Sequence, residues 1–127
     1  MAATGPKSDE SDGVKLAKKL VEDVKYEEAI SRLEEMQREG TASPDSRELK
    51  ETAIEKLINR ERNKAAKLFL MAKGTSDRAK KKELLSSSYN ILKVLIDKYP
   101  SSPLISKIND NMNRIREEME LQKGRPG

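Results

Sequence analysis

The side chains that most often carry out catalysis are missing from this sequence. Its 127 residues include no cysteine and no histidine, which excludes thiolate nucleophiles, disulfides, imidazole bases and the common zinc sites. Carboxylates are plentiful, but general acid/base work needs a pocket that holds one acid protonated. Glu27, Glu28, Glu34, Glu35, Glu117 and Glu118 instead fall on polar helix faces, where they solubilise. Ser86, Ser87 and Ser88 have no histidine to activate them, and no lysine is marked as buried beside them. Their small size suits close helix packing. No glycine-rich phosphate loop, calcium loop or zinc spacing occurs. The residues therefore imply no enzyme, no metal and no cofactor.

Binding chemistry has better candidates. Arg60, Arg62, Lys64, Lys67, Arg78, Lys80, Lys81 and Lys82 could face an anionic strand or membrane surface. Aromatic residues are only 3% of the chain, which leaves almost no stacking platform for single-stranded bases, so solvated helix faces are the preferred reading and nucleic acid the distant one. Near the C-terminus Ile105, Ile108, Met112, Ile115 and Met119 recur at gaps of three, four, three and four, a heptad-like seam. Its first role is packing on the preceding helix. Left open, it would seat a partner helix or a second copy of the chain through adaptable methionine contacts.

Five helices must position these groups. Val14, Ala17, Val21 and Val24 have helical spacing, and a tight turn at Val24 and Lys25 leads to a second stripe of Tyr26, Ala29, Ile30, Leu33 and Met36. A link this short makes the two helices antiparallel neighbours. Gly40 stops the second helix and Thr41 to Pro44 crosses to a third, capped by Asp45 or Ser46. That helix runs to about Lys73, carrying Leu49, Ala53, Leu57, Ile58, Ala65, Leu68, Phe69 and Ala72, and the polar stretch Asn59 to Lys64 leaves a kink open. Gly74 closes it. Thr75 or Ser76 is the expected cap of a fourth helix, whose buried face is Leu84, Leu85, Ser88, Leu92, Leu95, Ile96 and Tyr99, ended by Pro100. Ser102 and Pro103 pair as N-cap and first residue of the fifth.

A chain of this length makes one domain, expected over residues 13–122, between a disordered leader or cloning remnant at 1–12 and a polar tail at 123–127. With 35% hydrophobic and 38% charged residues, the core is lean for a globule and fits a thin stack of helix pairs. The 26 basic and 22 acidic residues give a formal charge of +4 and read as well mixed along the chain. No stretch is long and apolar enough to span a membrane, and the N-terminus lacks the apolar core of a signal peptide.

Helix pairs with a Tyr-Glu-Glu-Ala-Ile run opening one helix and Lys-Tyr-Pro-Ser-Ser-Pro closing another resemble tetratricopeptide (TPR) repeats. Ser88, Leu92 and Pro100 meet the TPR spacing of small residue, large apolar residue and helix-ending proline. Ala29 and Leu33 match the first two positions, with Pro44 three residues late. The Tyr99 to Pro103 ending is similar to bacterial envelope TPR proteins, the outer-membrane barrel-assembly lipoprotein and the Tol-Pal coordinator type. There is no tryptophan at the consensus position, and Ala29 and Ser88 lie farther apart than the roughly 34 residues of a regular repeat.

The resemblance implies an all-α fold of antiparallel hairpins stacked as a short right-handed solenoid, and a non-enzymatic scaffold for a peptide or helix of another protein. By analogy with ligand-binding first helices of TPR units, the contact set is Arg60, Asn63, Lys64 and Lys67 of the third helix with Lys15, Lys18 and Lys19 of the first. A homodimer through the fifth helix is the alternative. Location follows the native N-terminus: envelope or periplasm if a signal or lipid anchor was trimmed, cytoplasm otherwise.

Overall fold

The structure, a computed structural model, describes residues 11–124. Among these the chain forms five α-helices and no strand: α1 Asp12–Glu22, α2 Tyr26–Arg38, α3 Pro44–Gly74, α4 Arg78–Lys98 and α5 Ile105–Lys123. The fold is all-α, as the periodicity predicts. Of the expected leader, all but Ser11 and Asp12 lies outside the described residues, as does the tail beyond Gly124.

Side chains cap the first N–H groups of α1, α3 and α4, whereas α2, entered through Lys25, and α5, entered through Leu104, have no side-chain cap. Ser11 Oγ accepts the Val14 N–H at 3.2 Å, which starts α1 ahead of Val14. The cap of α3 is Ser43, not Asp45 or Ser46. Its Oγ accepts the Ser46 N–H at 3.1 Å, and Ser46 Oγ accepts the Ser43 N–H at 2.7 Å. This is a reciprocal capping box with serine in the third position, and Pro44 sits where no N–H is needed. The cap of α4 is likewise Asp77, not Thr75 or Ser76: its carboxylate accepts the Lys80 N–H at 3.1 Å. That negative charge faces the helix N-terminus and offsets Lys80, Lys81 and Lys82. The cap of α5 is Leu104, not Ser102, and Pro103 lies in the turn before the helix: Ser102 Oγ accepts the Leu104 N–H at 3.1 Å, and the Ile105 N–H reaches the Ser102 carbonyl at 3.1 Å before regular α5 begins at Ile105.

The ends of α1 and α2 use one motif. After α2, the Thr41 N–H reaches the Met36 carbonyl at 2.9 Å and the Gly40 N–H reaches Gln37 at 3.2 Å, a Schellman cap with Gly40 at φ +78°. After α1, the Lys25 N–H reaches Leu20 at 2.8 Å and the Val24 N–H reaches Val21 at 3.0 Å. Here Val24 occupies the left-handed position, at φ 62°. Between Pro44 and Gly74 α3 is continuous, and Asn59 to Lys64 is helical throughout.

The described residues divide into two compact units, one up to Leu57 and one from Ile58. In the first, α1 packs on α2 and Val14, Ala17, Leu33 and Met36 form the core, with Leu49 of α3 half-buried against it. Gly13 permits the approach of Met36, whose Sδ would lie 3.0 Å from a Cβ there. In the second, α4 packs on α5. Buried residues come from all three of its helical segments: Ile58, Ala65 and Ala72 from α3, Leu84, Leu85, Leu92 and Leu95 from α4, and Ile108, Met112 and Ile115 from α5. Ser88 is fully buried among them and donates to the Ala65 carbonyl at 2.8 Å. On the surface of this pair, Arg116 stacks over Tyr89 at 5.4 Å and donates to its hydroxyl at 2.8 Å.

Candidate functional site

The expected contact residues are distributed over both units. Arg60, Asn63, Lys64 and Lys67 share the second-unit half of α3, while Lys15, Lys18 and Lys19 are exposed on α1 in the first unit. Two of the four on α3 share one acid. Glu61 Oε2 lies 2.9 Å from Arg60 Nε and 3.3 Å from Lys64 Nζ. Asn63 and Lys67 remain exposed. In the first unit, Lys19 pairs with Asp23 at 3.7 Å.

The heptad seam of α5 faces inward. Ile108, Met112 and Ile115 are buried inside the second unit, and Ile105 and Met119 are half-buried. Its centre is occupied by packing within the second unit. Of the three serines, Ser86 and Ser87 are exposed and Ser88 is buried. Of the glutamates singled out above, Glu34 pairs with Lys50 at 3.7 Å and Glu35 with Arg32 at 3.8 Å. Among the described residues no three acidic side chains gather closely enough to hold a metal ion.

A groove of about 430 Å³ opens on the second unit between α3 and α5, with α4 beneath. Helix geometry builds it. On α3, Arg62, Ala66, Phe69 and Lys73 succeed one another at intervals of four, three and four, one face of the helix. Ser88 and Leu92, one turn apart on α4, close the bottom, and Asn111, Arg114 and Ile115 of α5 form the opposite wall. Arg62 is held in place by two amide oxygens, Asn111 Oδ1 from its Nε and Asn59 Oδ1 from its Nη1, each at 3.0 Å. Lys73 Nζ stands 5.5 Å from the centre of the Phe69 ring, within cation–π range. Every charged residue lining the groove is a cation.

Charge is partitioned between the two stretches of sequence, not evenly mixed. Residues 1–57 hold 10 basic and 14 acidic residues, net −4, whereas 58–127 hold 16 basic and 8 acidic, net +8. An excess of that size in so short a stretch creates a field that attracts anionic groups.

Beside the groove, the surface is unusually apolar. Ala65 to Ala72 has one polar residue, Lys67, so apolar side chains surround α3 here instead of forming one stripe. Those that cannot reach the core stand in solvent, Leu70 at 68% exposure and Met71 at 54%. This seven-in-eight apolar run was the available sequence signal for Leu70 and Phe69 as site residues. The basic walls supplied by Arg62, Lys73 and Arg114 depend on which α5 turn faces α3, and helical spacing alone does not give that.

A second cavity, of about 490 Å³, lies between the start of α4 and the end of α5, bridged by Arg78 and Gln122: Gln122 Nε2 donates to the Arg78 carbonyl at 2.9 Å. Its lining includes Glu120, paired with Lys123 at 3.6 Å, so its charge is partly cancelled locally. Among the described residues no helix is long and apolar enough to cross a membrane. No protein-family model matches the chain, and neither a curated protein nor a solved structure is significantly similar to it.

Proposed function

We propose that this chain is a non-enzymatic protein–protein interaction scaffold, built from helix pairs of the tetratricopeptide-like kind, whose contact surface is the groove of the second unit. The observation that supports this reading is the groove itself: fixed polar walls around the accessible apolar side chains of Ala66, half-buried Phe69 and exposed Leu70. Contiguous exposed apolar surface with a polar border is characteristic of protein-binding sites. Buried Ser88 and Leu92 also sit where the tetratricopeptide pattern asks for a small and a large apolar residue. The contact set is accordingly Asn63 with Arg62, Lys73 and Arg114, and Lys67 flanks it.

A displayed random-peptide library, panned against the intact chain, tests the reading. Peptides should be recovered whose binding is lost in Ala66→Trp, an exposed position whose indole would fill the groove. Recovery of no peptides, or of peptides indifferent to Ala66→Trp in a protein of unchanged circular dichroism, would remove the groove as the contact surface.

A further inference from the structure

Resting on the scaffold reading, we propose that the partner segment seated in this groove is an acidic amphipathic helix. The first argument is charge. Arg62, Lys73 and Arg114 line the groove, no carboxylate does, and among the described residues none of the three is ion-paired. Arg62 donates to two neutral amides, and Lys73 stands over a ring face. Three uncompensated cations in a sequence stretch of net +8 select against a basic ligand and steer an acidic one.

The second argument concerns the partner's backbone. The groove is walled by three helices, whose own N–H and C=O groups are consumed inside each helix, so it presents no strand edge for main-chain pairing. An extended segment pressed onto Ala66, Phe69 and Leu70 would bury peptide groups without partners. A helix arrives with those groups already bonded. Its apolar stripe can cover Phe69 and Leu70 while glutamates or aspartates on both flanks meet Lys73 on one wall and Arg114 on the other.

The third argument separates protein from nucleic acid. A phosphate backbone would satisfy the cations but leave Phe69 and Leu70 uncovered, and Phe69 is the sole aromatic residue lining the groove, too little for a series of stacked bases.

The test uses the full chain and designed, end-capped peptides of about five helical turns, read by fluorescence anisotropy and circular dichroism. One carries leucines on one face and glutamates on both flanks. The comparators are its scramble, its lysine-for-glutamate version and a single-stranded oligonucleotide. The acidic helix should bind, gain helical signal, weaken as salt is raised, and bind about tenfold more weakly to the double variant Lys73→Glu/Arg114→Glu, a loss of two desolvated charge contacts. Leu70→Ser, an uncharged change at an exposed site, should weaken it as well. The inference is overturned if the acidic helix does not bind, if the scramble binds equally, or if the oligonucleotide binds more tightly. The library experiment keeps the two ideas apart. Groove-dependent peptides without acidic bias would leave the scaffold reading standing and refute this partner, whereas no groove-dependent peptide at all would refute both.

Discussion

The Ser88 hydroxyl of α4 donates to the Ala65 backbone carbonyl of α3 at 2.8 Å, in a place with no solvent access to Ser88. A helix can approach another this closely only where the side chain between them is small, and the hydroxyl uses the second lone pair of a carbonyl that already serves its own helix. Ser88→Ala should therefore cost about 1 kcal/mol, the net value of one hydrogen bond. Ser88→Leu should cost more, roughly 1–3 kcal/mol from overpacking. Urea unfolding of the two variants checks the order, and equal effects would mean that volume is not limiting at this contact.

Val24 and Gly40 end their helices with the same pair of hydrogen bonds, yet only one is a residue suited to positive φ. A β-branched side chain in the left-handed region costs roughly 1–2 kcal/mol, and Val24, 53% exposed, recovers little of that by burial. Val24→Asn or Val24→Gly should raise stability by about 1 kcal/mol. Thermal melts followed at 222 nm would register the gain. A loss in both variants would show that the Val24 side chain makes a contribution larger than its strain.

Ser43 and Ser46 satisfy one another at the start of α3. Ser43→Ala and Ser46→Ala should each cost about 1 kcal/mol. The double variant should cost less than their sum, because either change breaks the same reciprocal box. Additive losses in denaturant titrations would assign the two serines independent roles.

These positions also mark where sequence was informative. The stripes of α1, α2, α4 and α5 follow helical periodicity, and Ala29, Leu33, Leu92 and Ile108 are buried as their spacing requires. Gly40 and Pro100 stop helices for reasons that belong to single residue types. Caps were harder to read, because Ser43, Asp45 and Ser46 are all good capping residues and the choice among them depends on Pro44 fitting the first helical position. The site was harder still. Phe69 belongs to the apolar positions of α3 and is half-buried, and its groove exists only because Arg62 of α3 meets Asn111 of α5, 49 residues later. The opposite charges of the two stretches were present in the sequence from the start. They acquire meaning only when the boundary between the units falls at Leu57 and Ile58.

Glu61 offers a way to vary the charge of the second unit without altering the groove walls. Its carboxylate holds Arg60 and Lys64 at 2.9 and 3.3 Å and is itself only 18% exposed, so Glu61→Gln should cost about 1 kcal/mol of stability, near the upper end for a partly screened pair. The same change removes one negative charge from the helix that bears Arg62, Lys73 and Phe69. Association of the acidic helical peptide should then become roughly threefold faster at low ionic strength, with dissociation little altered, because charges outside the contact act on encounter more than on the bound state. Near 0.5 M salt, where the Debye length falls to about 4 Å, the difference should vanish. Stopped-flow anisotropy at both salt concentrations separates these contributions. An unchanged association rate at low salt would mean that the Glu61 charge does not reach the approaching ligand, and a gain that survived 0.5 M salt would place Glu61 in direct contact with the peptide.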